Sequence, residues 1–492
     1  MRINTNISAI IANAQLSTTQ DRLSTSLERL SSGYKINHSK DNPAGMAISQ
    51  KMRSQIRGLD QADNNAQDGS SVLQTAEGAM TEIQSMLARL KELTVQAAND
   101  VNSDSERAAI QLEIESLNDE IDRIAGDTDF NTKSLLDGNL RRRVYSDTEG
   151  VSQFEISDGF VAGYYGITVT QDGERAIYGG SEITLDGAIK DYQAGTVTIN
   201  GVSVSIEEGD TLATITDKLT EGAYKAAAFM INTDDTLNND PDTAGFVSVP
   251  AERGTRFVFA TQEYGSTESL TITCDNEDLS KLIGIPENKH NLAEVGKDAK
   301  AEFTQGADGN RVGFSNSAIL STSGNRITVR DNNDRTFIMD IPGKLVAANG
   351  STDIVQQVTD IGTMKIHVGA NENQIIDVRL PEISAQKLGT DTINVYTHEN
   401  ASKAITKVDT AIERLSAMRS KIGAYDNRLE HTTSNLSVSN ENLTSALSRI
   451  TDVDMAEEMT EYTSINVLAQ AGTSMLAQAN ARPETVLQLL QK

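Results

Sequence analysis

Five histidines, His38, His290, His367, His398 and His431, and one cysteine, Cys274, are the side chains here best suited to nucleophilic or metal chemistry. Such chemistry needs convergence. A zinc centre takes three or four ligands at short spacings, and a nucleophile needs a base beside it. The histidines instead stand at least thirty residues apart. No HExxH, CxxC, GxSxG, Walker loop or GxGxxG is present. With a single cysteine an intramolecular disulfide is impossible. Lone histidines of this kind are more often surface or structural than catalytic, so no enzyme activity, metal or cofactor is expected.

Charge narrows the partners. The chain has 492 residues and a formal net charge of −27, with 38% hydrophobic and 4% aromatic residues and no Trp. That balance argues against nucleic acid, whose phosphates demand Lys and Arg, and against anionic membranes. No run of eighteen apolar residues occurs, so no membrane span is expected. The N-terminal stretch MRINTNISAIIANAQL lacks a charged n-region, a continuous apolar core and a cleavage site. By the general secretory route the protein is therefore expected to stay inside the cell.

What the sequence does offer is apolar association. Near the C-terminus Ile465, Leu468, Gly472, Met475, Ala479, Val486 and Leu489 recur at alternating steps of about three and four, skipping only Arg482. Near the N-terminus Ile3, Ile7, Ile10 and Ala14, then Leu23, Leu27 and Leu30, fit one helical face. Both ends hold few charges. Gly33 suits a helix end, and Asn42-Pro43 marks a break before the next helix.

These terminal stripes flank longer ones. Over residues 44 to 99 one heptad position reads Gly45, Met52, Leu59, Ala66, Leu73, Met80, Leu87, Thr94. Its partner reads Ile48, Gln55, Ala62, Gly69, Ala76, Ile83, Leu90, Ala97. Sustained 3.5-residue spacing implies helices packed side by side. Ser103 with Glu106 offers a capping box for a helix striped by Ile110, Ile114, Leu117, Ile121 and Ile124. Downstream, Val408, Leu415, Ile422, Leu429, Leu436, Leu443 and Ile450 fall every seventh residue. A single helix of this kind leaves its stripe uncovered. The simplest solution is a long-helix coiled-coil bundle in which the two ends of the chain meet.

The middle, 141–361, reads as strands and turns. TVTINGVSVSI alternates apolar and polar residues around Asn200-Gly201, a favoured two-residue hairpin turn. ITVRDNNDRTFIMDI and FVFATQEYGSTESLTIT have the same character. This stretch holds 18 basic against 34 acidic residues, so −16 of the total −27. It is expected to be an α+β or β-rich domain inserted into a mainly helical bundle. A further hairpin is expected from MKIHV and IIDVRL, joined by GANENQ. The triplet Arg141-Arg142-Arg143 reads as a solvated domain junction.

RLSSGYKINHSKDNPAGMAIS (29–49) closely resembles the N-terminal signature of bacterial flagellins. LARLKELTVQAAND (87–100) resembles their long-helix motif, and SRITDVDMAEEMTEYTSINVLAQAGTSMLAQAN (448–480) their C-terminal signature. The likeness covers about 140 residues at the start and 130 at the end. In the insert it reaches only TVTINGVSVSIEEGDTLATI, a weak match to a module common in flagellin variable regions. Three departures are visible, one of them a tail that ends ARPETVLQLLQK with Arg482 in the stripe. Pro43 stands where small residues are common, and the 364–380 hairpin follows the insert, placing the insertion near Leu140.

The resemblance implies a subunit exported through the flagellar type III apparatus, which reverses the intracellular expectation. It implies helical self-assembly into the extracellular flagellar filament, with an export chaperone and a filament cap as partners. Residues 1–43 with 452–492 would form an inner tube, and 44–140 with 362–451 the bundle. Residues 141–361 would face outward. Polymerisation would then use Ile3, Ile7, Ile10, Leu23, Leu27, Leu30, Ile465, Leu468, Met475, Val486 and Leu489, with the ends disordered before assembly. Position-by-position matching also implies contacts of Arg89, Leu93 and Glu113 with Toll-like receptor 5, Leu93 as an apolar anchor beside Arg89. Alternatives are a hook–filament junction protein or a flagellin whose insert acts as an adhesin. A protease-bearing insert would need HExxH, which is lacking.

Overall fold

The computed structural model describes residues 6–490 except 158, 186, 234–255, 286–291, 307–309, 332–334, 347–349 and 360. The side chains of 153–154, 232–233, 292–293 and 483–490 also lie outside the described part. Its helices are α1 (Ile7–Ser32), α2 (Pro43–Ala97), α3 (Asp104–Asp127), α4 (Leu212–Lys225), α5 (Glu277–Ile283), α6 (Ala385–Leu388), α7 (His398–Thr451) and α8 (Met455–Leu490). The bundle of helices from both chain ends, with a β-rich insert between them, is the expected fold class.

Helix ends follow their local chemistry. Asn6 caps α1 by accepting from the Ala9 amide at 3.2 Å, and Gly33 closes it in the left-handed region at φ +74°. The Ser103–Glu106 capping box opens α3 as expected. Side chains add partners to the carbonyls at and just beyond the end of α2. The buried Arg107 guanidinium donates to Ala97 O at 3.1 Å and to Asn99 O at 3.2 Å. Gln111 then fixes the approach to α7, donating to Ile393 O and accepting from Val395 N–H, both at 3.0 Å.

The chain forms two compact units, and α2 and α7 contribute to both. One comprises Met1–Ser71, Lys365–Ile376 and Asp426–Lys492. In it α1 and α8 pack antiparallel, and the heptad residues Ala62, Ala66, Leu429 and Leu436 are buried. Toward the helix ends the stripe loosens. Met52, Leu59, Leu443 and Ile450 are half-buried, and Ile48 is exposed. The expected hairpin forms from strands Met364–His367 and Ile375–Val378. It lies close against α2. A Cβ at Gly69 would sit 2.4 Å from Ile366 Cδ1, and one at Gly58 2.9 Å from Ala370 Cβ.

The second unit comprises Val72–Met364 and Asp377–Tyr425. Here Leu73, Ala76, Met80, Ile83, Leu87, Leu90 and Ala97 are buried along α2, with Val408, Leu415 and Ile422 along α7. Ion pairs flank this seam, Arg419 to Glu77 at 2.6 Å and Lys91 to Asp409 at 2.5 Å.

The insert holds two cores, one nested in the other. The host core is built from two four-stranded antiparallel sheets. One orders Lys300–Phe303, Gly163–Gln171, Thr352–Val358 and Val144–Ser146; the other orders Ile319–Ser323, Arg326–Asp331, Arg335–Asp340 and Ser152–Ile156. Phe160, Tyr165, Phe314 and Phe337 fill it with edge-to-face rings. The guest core, within 176–285, packs α4 and α5 with a three- and a four-stranded sheet. Its entrance and exit lie together. Glu174 N–H donates to Lys297 O at 2.8 Å, Lys297 N–H returns to Glu174 O at 2.9 Å, and their side chains pair at 2.6 Å. Asn200 (φ +42°) and Gly201 (φ +82°) make the expected tight turn. Strands Arg256–Thr261 and Ser269–Cys274, adjacent in sequence, enter different sheets.

Candidate assembly interface

The α1–α8 pair is where the terminal stripes act, and it sorts their residues onto two faces. The seam between the helices runs along Ala9, Ala12, Leu16, Thr19, Leu23, Ser26 and Leu30 on α1. On α8 it runs along Tyr462, Ile465, Ala469, Gly472, Leu476 and Ala479. Both sets are spaced three and four apart, and all are buried or half-buried. Most are small, which lets the backbones approach. A Cβ on Gly472 would lie 3.3 Å from Leu16 Cδ1, and Asn6 Nδ2 donates to Ala479 O at 2.8 Å. Arg22 pairs with Glu461 at 3.1 Å and Arg29 with Glu458 at 3.7 Å. The junction is pinned by main chain, Lys35 N–H to Thr451 O at 2.6 Å and Val453 N–H to Gly33 O at 3.0 Å.

Most of the large aliphatic side chains of the stripes lie off this seam. Ile7, Ile10, Leu27, Leu468 and Met475 are each more than half exposed, and so are Ile11 and Val467. Leu23 and Leu30 are half-buried in the seam, whereas Ile465 is 2% exposed and wholly spent on the intrachain contact. Ile3 lies outside the described residues, as do the side chains of Val486 and Leu489. Two expectations therefore change. A single stripe is in fact two faces, because at 100° per residue Gly472 lies within about 20° of Ile465, whereas Leu468 and Met475 lie about 60° and 80° round the helix from it. The ends, expected to be disordered before assembly, are paired helices in the single chain, because Leu16, Leu23, Leu30, Ile465 and Leu476 interleave with small residues to complete the seam.

Sequence reasoning missed Leu16, Ser26, Ile11 and Val467. Leu16 was findable, standing seven residues before Leu23. Ser26, 3% exposed, gave no apolar signal.

At the bundle surface Arg89 is exposed and donates to Glu113 Oε1 at 2.8 Å and to Glu92 Oε2 at 3.0 Å. The Glu113 hydrogen bond, then Glu92, holds its guanidinium above the ordinary value. Leu93 does not join them. It is 1% exposed in the α2 core, since its offset of four from Arg89 falls across the boundary of the buried stripe. The expected apolar anchor is corrected accordingly. Among the described residues no cluster of three His, Cys, Asp or Glu could hold a metal. No described helix is long and apolar enough to cross a membrane.

Residues 3–140 match the model of the bacterial flagellin N-terminal helical region, and 405–490 that of the C-terminal helical region. A flagellin of Clostridium tyrobutyricum is 32% identical over 492 residues, spanning 98% of this chain and all of its own. The chain belongs to the flagellin family. The B-type flagellin of Pseudomonas aeruginosa is 33% identical over 510 residues, covering 100% of this chain and 99% of its own. A flagellin of Salmonella choleraesuis is 32% identical, with 99% of each chain covered. This flagellin is thus a structural subunit of the filament type, not an enzyme.

Proposed function

We propose that this flagellin polymerises helically through the outward face of its α1–α8 pair. The observation that supports the reading is the exposure of Ile7, Ile10, Ile11, Leu27, Val467, Leu468 and Met475 on helices whose other face is already satisfied. Burying the exposed part of each such side chain is worth roughly 1–2 kcal/mol. Seven of them together favour association strongly, even after discounting for the entropy of binding. Contacts between unlike patches, repeated by a screw operation, do not close and yield an open filament.

The same reading extends to the cell. The subunit leaves through the flagellar type III apparatus, with an export chaperone and the filament cap as partners, and resides outside the cell in the filament. Arg89 and Glu113, exposed and joined, are the candidates for Toll-like receptor 5. Arg89→Ala should lower signalling in receptor-expressing reporter cells without altering the monomer's melting; unchanged signalling removes Arg89 from that surface.

The test of polymerisation is electron microscopy after seeding with filament fragments. The full chain is compared with one lacking residues 1–33 and 464–492. Filaments from the full chain only support the proposal. Filaments from both move the assembly contacts elsewhere.

A further inference from the structure

One sheet of the host module runs in the order Lys300–Phe303, Gly163–Gln171, Thr352–Val358 and Val144–Ser146. Its inner face is core, where Val144, Tyr165, Ile167, Ile354 and Val358 pack. Alternation turns their neighbours outward. On that side Tyr164 stands opposite Gln357, and Gln357 opposite Tyr145. The three form one row across adjacent strands. Tyr164 is 59% exposed and Tyr145 49%, with Gln357 exposed between them. At about 4.8 Å per strand, the two tyrosines stand about 10 Å apart.

Arg143 flanks the row. Its N–H donates to Ile361 O at 3.1 Å and its carbonyl accepts from Thr359 N–H at 3.0 Å, so extended pairing runs one residue beyond Val144. Because Val144 packs inward, the exposed Arg143 comes to the outer side, two residues from Tyr145. Among the described residues, the side chains of Arg143, Tyr145, Tyr164 and Gln357 make no hydrogen bond, ion pair or ring contact. The far end of the same face is committed. Thr168 Oγ1 donates to Asp353 Oδ1 at 2.6 Å and shares a hydrogen bond with Thr304 Oγ1 at 2.9 Å, and Asp147 Oδ1 accepts from Val355 N–H at 2.9 Å. The face is thus polarised, with Arg143 at one end and Asp147 and Asp353 toward the other.

These four side chains match one class of ligand. Tyrosines give broad, rigid contact at low entropic cost, apolar on the ring and polar at the hydroxyl. A pyranose has the same character, with an apolar C–H face and a rim of hydroxyls. The Gln357 amide both donates and accepts, as adjacent hydroxyls do. Reaching both rings takes more than one sugar. Charge complementarity narrows the choice. In an insert of 18 basic and 34 acidic residues, Arg143 is a cation without a carboxylate partner, and its fork suits a carboxylate. A polyanion would also meet Asp147 and Asp353, so the fit is to a single carboxylate in an otherwise neutral chain.

We propose that this row binds an oligosaccharide carrying one carboxylated sugar, its carboxylate at Arg143 and its rings on Tyr145 and Tyr164. The site is independent of the polymerisation reading and is present in the monomer.

The test applies full-length monomer to an array of oligosaccharides in three classes, with no carboxylated sugar, with one, and with every sugar carboxylated. The strongest signals should fall in the middle class. Tyr145→Thr and Tyr164→Thr, which keep strand preference, should each weaken that binding at least about tenfold. Arg143→Gln should bring it down to the level of the neutral class. Tyr192→Thr, at an exposed tyrosine of the guest core, should leave it unchanged. Unchanged melting of each variant shows that the fold is intact. No signal from the middle class, binding that survives both tyrosine replacements, or neutral chains bound as strongly as carboxylated ones would overturn the proposal.

Discussion

Leu468 and Ile465 lie three residues apart on α8, yet they should fail in opposite ways. Leu468 is 55% exposed in the single chain and Ile465 is 2% exposed. Leu468→Ala removes three carbons, worth about 2.4 kcal/mol if burial were complete. Only the part still exposed can be gained on assembly, so the loss per added subunit is about 1.3 kcal/mol. That raises the critical concentration for seeded elongation about tenfold. The monomer should barely notice, with melting changed by less than about 0.5 kcal/mol. Ile465→Ala instead opens a void inside the α1–α8 seam and should cost about 2–4 kcal/mol of that pairing. It should appear as early loss of helix signal in the monomer. Sedimentation of seeded reactions gives the critical concentration, and circular dichroism the helix melting. If Leu468→Ala elongates within twofold of the parent, or melts the terminal helices early, the two-face reading is wrong.

Other perturbations probe the positioning elements. Gly69→Leu would drive a side chain into Ile366, where even a Cβ meets Cδ1 at 2.4 Å; the hairpin Met364–Val378 should detach, seen as faster amide exchange at its strands. Ser103→Ala removes the hydroxyl half of the α3 capping box, leaving the backbone N–H of residue 103 to Glu106, and should cost about 1 kcal/mol in urea unfolding. Replacing 175–296 by a short Gly-Ser turn should leave a folded host module, because Glu174 and Lys297 already face each other as a bridge; loss of its near-ultraviolet signal would show that the guest core is required. Acid stability turns on Glu263, where burial, which alone would raise the carboxyl, is overcome by the Lys407 charge and hydrogen bond and by Thr392. Its folded value lies below the unfolded one, so the stability it adds is present above about pH 4.5 and fades as pH falls below it. Lys407→Met should thus lower the urea midpoint at pH 7, and the gap to the parent should narrow at acid pH; a gap constant with pH would contradict the pairing.

The parts of this molecule that repeat or turn locally were readable. The heptads of α2 and α7, the Ser103 box, Gly33, Asn200-Gly201 and the hairpin at 364–378 each state their structure within a few residues. The remainder depended on partners far away in sequence. Strands 256–261 and 269–274 look like a hairpin, but each pairs with more distant strands, and alternation alone cannot name a partner. The nested cores hinge on the meeting of Glu174 and Lys297, 123 positions apart in the chain. The intrachain seam of the terminal helices was hidden for another reason. About half of it is Ala, Ser, Thr and Gly, whereas apolar periodicity reports large side chains, and here most of those in the stripes face away. For the same reason Leu93, four residues from an exposed arginine, looked accessible and is core.

Met475 offers the most direct reading of where subunits meet. It is 65% exposed in the single chain, in the middle of the outward face, whereas Met80 is fully buried in the bundle. Peroxide oxidation followed by peptide mass spectrometry would compare monomers with assembled filaments. Oxidation of Met475 should be fast in the monomer and slowed at least about tenfold in the filament, with Met80 slow in both. Equal oxidation of Met475 in the two states would contradict assembly through the outward face of α1 and α8.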